Sequence, residues 1–222
     1  KGKQKAFWVA KRASTEEKVT STERPMFWMI AGPNGSGKSS LYSGTEIDAF
    51  DQSIWIINPD LLTERIRKVE KLAQEEANLE AVIRIEAWLE ASIRAHHTIG
   101  VETVLSTDKY RRLVLEAKNR QFEFRLIYIV LASPDLNVER VRLRVKKGGH
   151  DVPETKIRER WFKSIRQLPW FLKRSDQAWI FDNSGAAPLQ IGLKQHGNIT
   201  IDPSAPATLR AAIEQLRVTE SP

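Results

Sequence analysis

Residues 32 to 39 read Gly-Pro-Asn-Gly-Ser-Gly-Lys-Ser, a G-x-x-x-x-G-K-[ST] pattern. Glycines at these spacings let successive backbone N–H groups turn inward with no Cβ in the way, and a helix opening at the lysine adds its own free donors, so the stretch is built to cradle phosphate oxygens. Lys38 brings a mobile positive charge to the outer phosphates of a nucleotide, and the Ser39 hydroxyl stands where Mg2+ is ligated in such loops. Gly32, Pro33, Asn34, Gly35, Ser36, Gly37, Lys38, Ser39 and Ser40 therefore form the expected nucleotide-binding segment. Switches, motors, ATPases and kinases all use this loop, so the reaction must be read from acids and bases elsewhere in the chain.

Three acids come into question. Asp60 follows the apolar run "SIWIINPD", with Pro59 disfavouring helix at Asn58, so it either caps the next helix or faces a site. Asp182 ends "AWIFD", the pattern of an acid that supports a metal at the tip of a strand, and Asp60 is the alternative for that role; spacing does not rank the two. Glu102 lies in the β-prone segment "GVETVLST", where a carboxylate is costly to bury unless a ligand or a basic partner meets it. The basic residues are concentrated: from Lys109 to Arg174 there are eighteen Lys and Arg against seven Asp and Glu. Most of these, Arg142, Lys146, Lys147 and Arg158 among them, read as a solvated helical face.

The elements that must carry these residues alternate. Met26 to Ala31 reads as a strand leading into the loop, and "FRLIYIVLASPD" is the clearest buried strand. Between Leu61 and His97 the chain is helical in period, with Val82, Ile85, Leu89 and Ile93 on one apolar face and Gly100 as the expected stop. "DKYRRLVLEAKNR" reads as another amphipathic helix, and two basic helical pieces flank the breaker "KKGGHDVP". A last strand, "AWIFDNSG", and a helix from about Ala207 to Val218 complete the pattern. Strands alternating with helices predict an α/β fold with a mostly parallel sheet. We divide the chain into an N-terminal extension, 1–24, and a P-loop domain, 25–222, with a basic helical lid at about 138–166.

Composition narrows the partners. A net charge of +7 over 222 residues favours anions, without choosing among nucleotides, sugar phosphates and nucleic acid. Nucleic acid is disfavoured because the basic residues are not interleaved with aromatics, and Trp161, Phe162, Trp170 and Phe171 read as helix-packing residues. No apolar run approaches the roughly 20 residues that span a bilayer. The absence of cysteine excludes disulfides and thiolate metal sites. A cytoplasmic protein with no membrane partner is the expectation.

Taken together, "AGPNGSGKSS", "INPD", "ETVLS", "RVRLRVKKGGHDVPETKIRERWFKSI" and "FDNSG", in that order over about residues 26 to 185, resemble the zeta-toxin family of P-loop kinases, especially its short members. The resemblance implies ATP and Mg2+ as cofactors, transfer of the γ-phosphate to a hydroxyl of a nucleotide sugar, UDP-N-acetylglucosamine above all, and the possibility of an antitoxin protein as partner. It implies that Asp60 accepts the proton of the substrate hydroxyl and that Glu102 and Thr103 bind the acceptor. It also implies that Arg140, Arg144 and Arg160 are lid arginines, with Arg144 and Arg160 acting on the transferred phosphate, and that Asp182 and Asn183 shape the adenine pocket. A polynucleotide kinase or RNA-associated NTPase, and a nucleotide-controlled module without catalysis, are the rival readings.

Overall fold

The computed structural model describes residues 24–42 and 54–218, so the proposed extension lies outside the described residues except for Arg24. Strand β1 (Met26–Ala31) is buried along its whole length. It pairs in parallel with β3 (Ile99–Thr103) on one side and β4 (Glu123–Val130) on the other. Alternation sends Phe27, Met29 and Ala31 into the main core and Met26, Trp28 and Ile30 into a second cluster on the opposite face. Burial on both faces is why these segments read as near-continuous apolar runs. Strands β2 (Ile56–Ile57) and β5 (Gln177–Asp182) extend the parallel part.

The helices fill the connections: α1 (Lys38–Tyr42), α2 (Pro59–Glu70), α3 (Gln74–Arg94), α4 (Arg111–Asn119), α5 (Pro134–Lys146), α6 (Glu154–Arg174) and α7 (Ala207–Val218). Helices α5 and α6 form a basic hairpin with a small core of its own, Val138, Val141, Val152 and Ile157. Its charges are partly cross-linked, since Glu154 pairs with Arg142 at 2.6 Å and with Arg158 at 2.8 Å. From Trp161 onward α6 enters the main core through Ile165, Leu168, Phe171 and Leu172. No described helix is long and apolar enough to cross a membrane.

Three local expectations are corrected. The stretch from Leu61 to His97 is two helices, because Lys71 adopts a left-handed conformation (φ 56°) and ends α2. Gly100 lies inside β3; α3 has already ended at Ala95, and His96 turns the chain with φ 55°. The strand at 177–182 is followed by two further strands, β6 (Leu189–Gln195) and β7 (Asn198–Ile201), paired antiparallel across a two-residue turn. His196 and Gly197 both take positive φ there, the turn that matches strand twist. The complete seven-stranded order is β2-β3-β1-β4-β5-β6-β7.

This order brings the C-terminal ends of the five parallel strands to one edge of the sheet, where open α/β sheets bind their ligands.

Candidate active site

Most of those strand ends contribute to one cavity of about 530 Å³. Asn34, Gly35, Gly37, Lys38, Ser39 and Ser40 come from the loop after β1, and Pro59 and Asp60 from the start of α2. Glu102, Thr103 and Val104 come from the end of β3, and Asn183 follows β5. Arg140, Leu143, Arg144 and Lys147, with Gly149, form the remaining wall.

The glycine loop is held from all sides. Its first residue, Gly32, donates to the Thr103 carbonyl at 3.2 Å. Asn137, fully buried on α5, donates to the Asn34 carbonyl at 2.6 Å, and Asn183 donates to the Ser36 carbonyl at 2.9 Å. Arg140 in turn donates to the Asn183 carbonyl at 2.6 Å, and Arg160 donates to the Asn34 side chain at 3.1 Å. Gly32 has φ 148°, and a Cβ placed on it would lie 2.0 Å from the Ile129 carbonyl oxygen. Both the backbone and the core strand β4 would have to shift, so Gly32→Ala is expected to cost about 3 kcal/mol or more, read as a lowered midpoint in urea denaturation. A wild-type midpoint would mean the loop is looser than its contacts imply.

Behind the loop lies a compact charge network. Lys38 is 6% exposed and donates to the carbonyls of Gly32 at 2.8 Å and Pro33 at 3.1 Å, with Glu102 at 3.7 Å. Burial pulls its ammonium below the ordinary lysine range; Glu102 and Asp60 oppose that shift and Arg144 adds to it. Glu102, 7% exposed, accepts from the Ser39 hydroxyl at 2.8 Å and from the Asn58 amide at 2.9 Å. The cost of burying this carboxylate is thus met inside the site by Lys38, Ser39 and Asn58 rather than by a basic helix.

Asp60 and Asn58 divide two roles that the sequence left undivided. Asn58 caps α2, accepting from the N–H groups of Asp60 at 3.0 Å and Leu61 at 3.1 Å. Asp60 is left free of capping, since its side chain is exposed at the cavity and, among the described residues, its carboxylate has no hydrogen-bond partner. Thr103 supplies its carbonyl to Gly32, and its hydroxyl accepts from the Leu105 N–H at 3.1 Å.

Not every expected residue reaches the cavity. Arg160 is not among the described residues that line it and meets the loop through Asn34, and Gly32, Pro33 and Ser36 are buried in the body of the loop. Asp182 lies in a turn in which Ser184 donates to it through both N–H and hydroxyl. Arg144 faces the cavity while its guanidinium donates to the His150 carbonyl at 2.7 Å, holding the turn between α5 and α6. Lys147, read from sequence as solvated, lines the cavity; positions 140, 144 and 147 share one helical face, a signal the charge count concealed. Asn58 carried no sequence signal beyond helix capping, and Asn137, inside α5 and past its Ser133 cap, carried none. Phe162, expected to pack, is 55% exposed, whereas Trp161 and Phe171 are buried.

Among the described residues no cluster of three or more His, Asp or Glu could hold a metal by itself. The Ser39 hydroxyl and the Glu102 carboxylate nevertheless suit Mg2+, which takes one or two protein oxygens and completes its shell with phosphates and water.

A glycine-rich loop between β1 and α1, at the C-terminal edge of a parallel sheet ordered 2-3-1-4-5, defines a P-loop fold, here with a basic helical hairpin beside the loop. The family model named Zeta toxin matches residues 10–188, and the chain belongs to that family. An uncharacterized protein of Haemophilus influenzae is 29% identical over 131 residues, covering 59% of this chain and 88% of that protein. The fold is shared with the AvrRxo1-ORF1:ORF2 complex crystallised with ATP, at TM-score 0.64 and 14% identity over 90% of this chain. This chain spans 65% of the length of that one. It is shared also with the PezAT toxin–antitoxin system of Streptococcus pneumoniae, at TM-score 0.58 and 16% identity, covering 88% of this chain and 78% of that one.

Proposed function

We propose that the protein is an ATP-dependent kinase that moves the γ-phosphate onto a hydroxyl of a nucleotide sugar, with UDP-N-acetylglucosamine as the first candidate. The observation that carries this reading is that Lys38, Asp60, Glu102 and Arg144, distant in sequence, line a single cavity. At about 530 Å³ it falls within the size range of small-molecule sites. Lys38, with Arg140 and Arg144 across the cavity, faces the phosphates and offsets the charge that develops on them during transfer. Asp60 orients the attacking hydroxyl and takes its proton once the bond to phosphorus has formed. Ser39 and Glu102 would hold Mg2+, which when bound spreads the charge of the outer phosphates. Thr103 and Val104 stand with Asp60 on the wall that would receive the acceptor.

Among the described residues the Asp60 carboxylate accepts no hydrogen bond, which favours a kinase over a module that merely binds nucleotide, since binding phosphates gains nothing from a bare anion at the cavity. Family membership and the toxin–antitoxin complex of similar fold support an antitoxin-like protein as partner. The test is incubation with ATP, Mg2+ and a panel of nucleotide sugars, sugars, nucleosides and polynucleotides, followed by mass spectrometry. A phosphoryl mass gain on a nucleotide sugar is expected. Gain on a polynucleotide alone would establish the rival reading, and gain on no acceptor would remove the kinase.

A further inference from the structure

Asn58 uses both ends of its side chain, and each end serves a different part of the cavity. Its Oδ1 accepts from the N–H groups of Asp60 and Leu61 at 3.0 and 3.1 Å, which fixes the first turn of α2. Because two N–H donors converge there, the opposite end must be the NH2 group, so the orientation of the amide follows from its bonding. That Nδ2 donates to Glu102 Oε2 at 2.9 Å and lies 3.4 Å from Ser39 Oγ, while Ser39 itself donates to the same carboxylate oxygen at 2.8 Å.

We propose that Asn58 is a positioning residue: one rigid amide sets the placement of Asp60 relative to the Ser39–Glu102 pair, and so couples the proton acceptor to the end of the cavity that handles phosphate and cation. This rests on the kinase reading for its consequence in turnover, although the coupling itself is a matter of geometry. The only covalent path between Asn58 and Ser39 runs through nineteen positions of chain, and strand β2 contributes just two residues to the sheet at this edge. A short edge strand with few ladder bonds gives little rigidity of its own, so the side-chain bridge to Glu102 on the better-paired strand β3 supplies it instead. Glu102 benefits in return. Its Oε2 receives two donors, which fixes the carboxylate where a cation would meet it.

The capping and bridging roles of Asn58 can be separated. Serine and aspartate cap helices about as well as asparagine, but serine cannot reach Glu102, and aspartate would set a second carboxylate against it. Asn58→Ser is therefore expected to lower the Tm only slightly, since the buried Glu102 carboxylate loses one donor but keeps Lys38 and Ser39, while kcat falls about ten- to a hundredfold with little change in the KM for ATP. It should weaken Mn2+ binding to the complex with a non-hydrolysable ATP analogue by a similar factor, as read by electron paramagnetic resonance. Asn58→Asp, which still caps the helix but sets a second carboxylate against Glu102, should lose turnover at least as far as Asn58→Ser, because the repelled Glu102 no longer holds its place. Wild-type kcat and Mn2+ affinity in Asn58→Ser would reduce Asn58 to a helix cap and overturn the proposal. Unfolding of both variants at the assay temperature would also overturn it, since the amide would then be supporting the fold. If the wild-type protein phosphorylates no acceptor, the kinase reading fails separately, and the Mn2+ comparison still decides the role of Asn58.

Discussion

Asp60→Asn is expected to lower kcat by about 10²- to 10⁴-fold while leaving the Tm and the affinity for ATP close to wild type. The separation of effects follows from how little the carboxylate does structurally. It is exposed and, among the described residues, accepts no hydrogen bond, and the helix beneath it is capped by Asn58 through backbone N–H groups that the substitution leaves alone. Asparagine is nearly isosteric, so the acceptor can still bind, but it cannot take a proton. The loose transition state of phosphoryl transfer calls for that proton late, which places the loss toward the lower end if Asp60 mainly orients the hydroxyl and toward the upper end if proton transfer limits turnover. Steady-state kinetics with the acceptor found by mass spectrometry provide the measurement. Wild-type turnover would strip Asp60 of its role and direct attention to Glu102, the other acid in the cavity.

If the proposed kinase reading holds, Lys38→Met should reduce transfer by about a thousandfold, since in that reading Lys38 is the cation that meets the phosphates. It should also lower the Tm at pH 7, because the buried Glu102 carboxylate and the Gly32 and Pro33 carbonyls each lose a donor. Burial draws the Lys38 ammonium down from its ordinary value of 10.5, which means that the folded protein holds this proton less firmly than the unfolded chain does. A neutral side chain of similar length removes that burial cost, but the partners it leaves unpaired in the interior cost more. The sign of the pH effect is fixed by the same comparison. As pH rises through the depressed folded pKa toward 10.5, the unfolded chain carries more protons than the folded one, and Lys38 contributes a rise in stability with pH. Denaturation at stepped alkaline pH should show that rise in the wild type and a flatter profile in Lys38→Met. An unchanged Tm at pH 7 would show that the cost of burying the ammonium outweighs its bonds to Gly32, Pro33 and Glu102.

The phosphate loop was legible because its information is contiguous. Gly32, Gly35, Gly37, Lys38 and Ser39 lie within eight positions, and the conformation they require is set by their own backbones. The apolar runs at β1 and β4 were legible for a related reason: strands covered on both faces need apolar residues at nearly every position. The β6–β7 hairpin was missed because much of it is exposed and Gly192 interrupts its pattern, although the tight His196–Gly197 turn was a usable signal. The break between α2 and α3 escaped notice because Lys71-Leu72-Ala73 contains neither Gly nor Pro, and packing rather than propensity imposes the left-handed residue.

Within the site, the sequence indicated which residue types were on hand, while partner choice waited on the fold. "INPD" offers two side chains able to cap a helix, and nothing local says that Asn58 takes the cap and releases Asp60. Glu102 meets Lys38 and Ser39 because β3 lies next to β1 in the sheet, a neighbour relation between segments more than sixty positions apart. By itself, then, the amino-acid sequence determined the glycine-rich loop, the alternation of strands and helices, and the basic character of the α5–α6 hairpin. These depend on backbone freedom and periodicity over a few residues. The tertiary structure alone decided which acid and which arginines share a cavity with that loop, because strand order and the placement of α5 arise from burying apolar faces between distant segments, an energy to which the polar residues of the site contribute almost nothing.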